Sequence, residues 1–297
     1  MRRAIACLVV SVLLVCLAAC VNAERRGARL DAAEVMAATA AARFVAHRGL
    51  RVSPTGVVAV ENTREAFANA ADTPTIWGIE TDVWQTADGV LVCMHDCDAV
   101  SGIDNVHEAT ADTVLHTPLR VSADAYAPTF DDYLAECKRG SKTAVVELKD
   151  ADMTTACMDA VLAAIRQTDV DAVVISFYYT KLAYVRATAP TMPCMLLFSR
   201  GYRQKYRRTG GGRIGRDELL QMALDNRISL SVDSGYLCRS GALRRWVQRF
   251  EEAGLPTGVW TVDDVHAAAY ELTEWGVSML TSNIDMATAI AAAYGCD

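Results

Sequence analysis

Of the five histidines in this 297-residue chain, two close short apolar runs. His47 ends the run in Val45-Ala46-His47-Arg48-Gly49, and His95 ends the run in Val92-Cys93-Met94-His95-Asp96. Imidazole titrates near neutrality, so two histidines facing one substrate can take a proton from an attacking group and give one to a leaving group. The other three, His107, His116 and His266, read as loop or helix residues without acidic or strand-end company. Carboxylates supply the second chemical element. Glu80 and Asp82 are two apart in a predicted strand, so both project to one face, and Glu147 with Lys149 repeats that spacing. Like charges buried side by side are costly without a cation. Three converging oxygen donors suit a hard divalent ion, Ca²⁺ or Mg²⁺, better than a zinc site built from His and Cys.

These side chains need a frame that brings strand ends together. Short strand-like runs recur at Phe44–Ala46, Gly78–Val83 (with a hairpin partner at Val90–Met94), Thr143–Leu148, Ala172–Phe177, Cys194–Phe198, Ser229–Val232, Gly258–Val262 and Ser278–Thr281. Helical patterns lie between them, as at Asn62–Ala71, Thr129–Lys138, Thr154–Arg166, Arg216–Asn226, Leu243–Ala253 and Asp263–Trp275. Asn62 with Glu65 resembles a capping box, and Thr129 and Asp263 read as N-caps. Eight strands, each followed by a helix, predict an α/β fold: a single-domain TIM (β/α)8 barrel, with a doubly wound open sheet as the alternative. The barrel builds its site at the C-terminal ends of the strands, where both histidines fall. The longest stretch without clear elements, residues 97–128, follows the His95 strand and reads as a short insertion on that same face.

With 52% apolar residues the chain can bury one substantial core, and a net charge of −7 excludes the basic surface that nucleic acid requires. Arg2 and Arg3 precede an apolar run, Ala4–Ala19, too short to span a bilayer and suited to a signal peptide. The run ends in Leu17-Ala18-Ala19-Cys20, which resembles a bacterial lipobox. The expected organisation is a signal peptide and lipobox over 1–20, a tether and lead-in helix over 21–42, and the barrel over 43–297. A lipid on Cys20 would hold the protein at the membrane of a bacterial cell envelope. Cleavage after Ala23, with secretion, is the second choice. Seven of the ten cysteines lie beyond Cys20 and lack zinc spacing. Residues 200–216, with seven basic side chains and no acid, read as a flexible loop that could attract anionic substrates or an anionic membrane.

The order of motifs is more specific than any one of them. His47-Arg48-Gly49, Glu61-Asn62-Thr63, Gly78-Ile79-Glu80-Thr81-Asp82, Thr86-Ala87-Asp88-Gly89, His95-Asp96, Glu147-Leu148-Lys149 and Trp260-Thr261-Val262 follow one another along the chain. This closely resembles the glycerophosphodiester phosphodiesterase family, from about Phe44 to the C-terminus. Two positions depart from the family pattern: Asp263 stands where Asn is usual, and Thr281-Ser282-Asn283 where a Thr-Asp pair is usual. The resemblance implies that His47 and His95 are the acid–base pair and that Glu80, Asp82 and Glu147 hold a divalent metal. Arg48 and Lys149 would bind the phosphate, and Trp260 would wall the alcohol side. The implied reaction is hydrolysis of a small-molecule glycerophosphodiester to glycerol 3-phosphate and an alcohol. A lipid phosphodiesterase of the sphingomyelinase D or lysophospholipase D kind, acting on a lipid head group, is the rival within enzymes. A non-catalytic surface-binding lipoprotein is the rival outside them; its mark would be a broken histidine pair or metal triad, and all five residues are present.

Overall fold

A computed structural model describes residues 30–53, 55–201 and 214–295. Cys20 and most of the basic 200–216 stretch lie outside the described residues. Eight parallel strands close into a ring: β1 (Arg43–Ala46), β2 (Gly78–Gln85), β4 (Thr143–Leu148), β5 (Ala172–Ser176), β6 (Cys194–Phe198), β7 (Ser229–Asp233), β8 (Thr257–Trp260) and β9 (Met279–Ser282). β1 pairs with both β2 and β9, which closes the barrel and excludes the open sheet. A ninth strand, β3 (Leu91–Cys93), is antiparallel to the upper end of β2.

The strands read as near-continuous apolar runs because both of their faces are covered. β4 shows the division. Ala144, Val146 and Leu148 face the helices, while Val145 joins Val173, Ile175, Met195 and Met279 inside the barrel. Outside, the ring of helices starts with α1 (Ala32–Ala41), α2 (Arg64–Ala71), α3 (Ala111–His116), α4 (Phe130–Arg139) and α5 (Thr155–Thr168). It continues with α6 (Tyr179–Thr188), α7 (Arg216–Asp225), α8 (Ser234–Leu237), α9 (Gly241–Glu252), α10 (Val265–Glu274) and α11 (Met286–Tyr294). Helix α4 fixes β2 directly. Its capping box pairs Thr129 with Asp132, its Tyr133 stacks on Phe130 and meets Phe67 edge-to-face, and the Tyr133 hydroxyl donates 2.7 Å to the Ile79 carbonyl. That bond anchors the backbone next to Glu80. Among the described residues no helix is long and apolar enough to cross a membrane.

The insertion after β3 has more structure than its sequence suggests. It contains a 3₁₀ turn, Val106–Glu108, and α3, around a small core that includes Val100, Val106, Val114 and Leu119. Bridges Val92↔Thr129 and Val100↔Leu119 close it as a unit. Two expected caps are displaced. Thr63, not Asn62, caps α2, and Asp264, not Asp263, caps α10. Both displaced residues serve the site instead. The described cysteines, Cys93, Cys97, Cys137, Cys157, Cys194 and Cys238, are free thiols.

Candidate active site

The turn after β1 sets the first side chains. Arg48 and Gly49 take positive φ angles of 57° and 79°, and a Cβ on Gly49 would stand 2.7 Å from the Ala66 backbone, so only glycine fits against α2. This turn aims the Arg48 N–H at Glu80 Oε2, 2.8 Å away. Arg48 also meets Glu61 at 2.6 Å and Asp82 at 3.5 Å. Burial works against its charge, but Asp82, Glu80 and Glu61 outweigh that and raise its pKa.

Glu80 and Asp82 share the inner face of β2, and register places Glu147 of β4 beside Asp82. The three carboxylates are buried, each with an oxygen within 4.8 Å of the others. Burial pushes the Glu80 carboxyl well above the ordinary range, and the charges of Asp82 and Glu147 add to this. Lys149 stands 3.1 Å from Asp82 Oδ1 and 3.6 Å from Glu147, and these two carboxylates hold its pKa up against burial. The Lys149 ion pair is the contact that Asp82 Oδ1, a buried oxygen, makes among the described residues. Three buried carboxylates with oxygens this close, and only oxygen to offer, are what a hard cation would satisfy. The residues therefore fit a divalent ion.

The two histidines have different supports. His47 Nδ1 lies 3.0 Å from Asn283 Oδ1, and Asn283 Nδ2 donates 2.7 Å to Asp263 Oδ2. Asp263 also receives the Asn283 N–H at 2.8 Å and the Ser282 hydroxyl at 2.9 Å. A carboxylate accepts only, so the amide must turn its nitrogen to Asp263 and its oxygen to His47. The proton of neutral His47 then sits on Nδ1. Burial, with the nearby Arg48 charge, lowers the His47 pKa. His95 is reached differently: the Met94 N–H donates 3.1 Å to the Asp82 carbonyl, which holds this segment against β2. Its Nδ1 pairs with Asp96 at 2.9 Å. Burial raises the Asp96 pKa, but the hydrogen bond and charge of His95 overcome this, and the net shift is downward.

His47, Arg48, Glu80, His95, Glu147 and Lys149 ring the mouth of one cavity of about 120 Å³ inside the barrel. At the end of β8, Trp260 meets Phe177 edge-to-face at 5.5 Å, and its indole N–H donates 3.3 Å to the Ser231 carbonyl. Asp82 belongs to the cluster beneath Arg48 and Lys149. All eight site residues expected within the described chain are thus gathered at one end of the barrel.

A family model, the glycerophosphoryl diester phosphodiesterase family, matches residues 47–285. The chain belongs to this family. Solved structures with similar folds include a glycerophosphodiester phosphodiesterase from Parabacteroides distasonis, at 20% identity and a TM-score of 0.66, covering 86% of this chain and 99% of that one. A phosphodiesterase from Oleispira antarctica, solved with the product sn-glycerol-3-phosphate, shares 18% identity at a TM-score of 0.67, covering 86% of this chain and 97% of that one. A protein from Agrobacterium tumefaciens described as a putative glycerophosphoryl diester phosphodiesterase gives 20% identity and 0.68, over 85% and 98%. At these identities the likeness carries the fold. No curated protein matches the sequence.

Within this glycerophosphoryl diester phosphodiesterase, three residues were not chosen from sequence. Asn62 takes φ 54°, receives the Thr81 hydroxyl at 2.7 Å and donates 3.1 Å to Asp82 Oδ2. It orients a metal-triad carboxylate. Asn283 and Asp263 are the other two, and both fall at the departures from the family pattern. His107 also corrects its sequence reading: its Nε2 is 3.3 Å from Asp150, so it does have acidic company.

Asn283→Ala tests the support of His47. The amide contact raises the His47 pKa, so its loss should move the acid limb of the pH–rate profile to lower pH. Loss of ring orientation should lower kcat by about tenfold, toward the small end of general acid–base effects. An unchanged profile and kcat would mean that Asn283 does not position His47.

Proposed function

We propose that the protein hydrolyses glycerophosphodiesters, with His47 as general base and His95 as general acid beside a divalent cation. The observation that carries this reading is the asymmetry of the two histidines around one cavity and one carboxylate triad. His47 is half-buried, with Nδ1 protonated against Asn283, which leaves the Nε2 lone pair to accept a proton from water. His95 instead meets a carboxylate, Asp96, through Nδ1 at 2.9 Å, which leaves Nε2 as the nitrogen that can serve the substrate. Its Nε2 proton can pass to the departing alkoxide as the phosphorus–oxygen bond breaks.

Glu80, Asp82 and Glu147 would hold Ca²⁺ or Mg²⁺, which when bound supplies positive charge to the phosphoryl oxygens. Arg48 and Lys149 add two fixed cations at the cavity mouth. Asn62 keeps Asp82 oriented, as hydrogen bonds to metal-ligand carboxylates generally do. The barrel cavity limits what can enter beneath the phosphate. At about 120 Å³ it is smaller than the roughly 150 Å³ apolar cavity that takes benzene. Glycerol is of that size, and an acyl chain is not. The Ser231 and Thr281 side chains line the apolar interior as polar exceptions, suited to the two free hydroxyls of a glyceryl ester.

Phosphorus NMR of the products from glycerophosphocholine tests the reaction. The expected signal is the monoester glycerol 3-phosphate. A cyclic phosphate as end product would mean that a substrate hydroxyl attacks in place of water, and the hydrolytic reading would fail.

A further inference from the structure

A phosphodiester carries two alcohols, and the barrel cavity has room for one small group. The second alcohol must lie outside the barrel, on the other side of the phosphate. A second cavity, of about 210 Å³, opens beside the first between the barrel rim and the insertion. Val60 and Asn62 of the β1–α2 loop form one wall, Leu119 and Val121 of the insertion the other, with Met94 and Ala99 between them. Of the residues lining either cavity, only His95 lines both. The residue that would protonate the leaving oxygen therefore stands where the barrel cavity meets this one.

We propose that this second cavity seats the leaving alcohol and selects a cationic amino alcohol, of the choline or ethanolamine type. The inference rests on the reaction proposed above and names the head group it would take. Charge is the first argument. Besides His95, the lining carries three acids, Glu61, Asp96 and Asp98, and one base, Arg120. Glu61 is paired with Arg48 and Arg51, and Asp96 is held by the His95 Nδ1 at 2.9 Å. Arg120 is turned into the insertion, donating 3.2 Å to the Val100 carbonyl and 2.9 Å to the Ile103 carbonyl, and it pairs with Asp104 at 3.2 Å. Asp98 is exposed and has no ion-pair or hydrogen-bond partner for its side chain among the described residues. One uncompensated negative charge remains at the cavity.

The walls give the second argument. Val60, Met94, Ala99, Leu119 and Val121 offer apolar contact and no side-chain donors. Val121 is 75% exposed, a large apolar side chain left uncovered at the rim. A quaternary ammonium has no N–H to donate and is held by apolar contact within a negative field. An ethanolammonium can give its N–H groups to the carboxylates of the lining. An anionic head group would meet Asp98 with the wrong sign, and a neutral polyol would gain nothing from its charge. The same ammonium is carried by lysophospholipids, but their acylated glycerol exceeds the barrel cavity, so a water-soluble glycerophosphodiester is the expected source.

The test compares kcat/KM for glycerophosphocholine, glycerophosphoethanolamine and glycerophosphoglycerol, using the full-length wild type, Asp98→Asn and Asp98→Lys. The preference for the two cationic head groups over glycerophosphoglycerol should fall about fivefold in Asp98→Asn, as for a partly exposed ion pair. It should fall further in Asp98→Lys, where attraction becomes repulsion, and most of the change should appear in KM. Lysophosphatidylcholine in neutral detergent forms a separate arm. A matching Asp98 effect there places the lipid among the substrates, and turnover confined to the soluble diesters identifies those as the source. An Asp98 effect equal for all head groups, or none, overturns the cavity assignment while leaving glycerophosphodiester hydrolysis standing. A wild type inactive on every substrate overturns the parent reading, and this one with it.

Discussion

His47→Ala and His95→Ala are each expected to lower kcat on glycerophosphocholine by about 10²–10⁴-fold, the usual worth of a positioned acid or base. Neither change should unfold the protein. Both side chains sit at a cavity mouth, and neither belongs to the apolar clusters inside or outside the barrel. The inferred roles make the two losses separable. A p-nitrophenyl phosphodiester releases an acidic phenol that needs no proton from the enzyme. On that substrate His95→Ala should recover most of its lost rate, while His47→Ala should stay impaired because water still has to be deprotonated. If His47→Ala were the variant rescued, the roles would be reversed. Near-normal turnover by either variant on glycerophosphocholine would remove that histidine from the mechanism.

The legible part of this site is the part written in local spacing. Two residues apart on a strand means one face, so Glu80 and Asp82 could be paired from sequence, as could Glu147 and Lys149. Parallel register then does what spacing cannot, setting Asp82 beside Glu147 across two strands. The barrel itself was legible because each strand is an apolar run bounded by a helical period. Helix α6 escaped notice because Tyr178 gives no side-chain cap and few of its side chains are buried.

The illegible part is tertiary. Asn62 precedes Glu65 by three residues, the spacing of a capping box, yet its positive φ takes it out of the cap and into contact with Thr81 and Asp82. Asp263 and Asn283 are twenty residues apart and meet only because β8 and β9 are neighbours in the barrel. His107 meets Asp150 only because the insertion folds back onto the end of β4. A family pattern marks such residues as departures without saying what they touch. In the fold, Asn283 accepts from His47 because Asp263 takes its amide protons.

Removal of divalent cations is expected to abolish turnover, with recovery on adding Ca²⁺ or Mg²⁺, and the same triad should govern stability. Three buried carboxylates within 4.8 Å repel one another when no cation is present. Burial, then Asp82 and Glu147, raise the Glu80 pKa, so the metal-free fold binds that proton more tightly than the unfolded chain does. The resulting stability is present below the ordinary glutamate pKa and is lost as pH rises through the raised value. In chelator, Tm should therefore fall with rising pH across that window. A saturating cation should flatten the slope by giving the charged carboxylates a partner. At a cation concentration a hundred times Kd the gain is about 2.7 kcal/mol, or roughly 4–5 °C in Tm for a chain of this size. Glu80→Gln separates the two effects. It should lose activity and the cation-induced rise in Tm, yet in chelator it should melt no lower than wild type, because a repelling charge is gone. Full activity in chelator, or an undiminished cation-induced shift in Glu80→Gln, would show that the triad does not bind the catalytic ion.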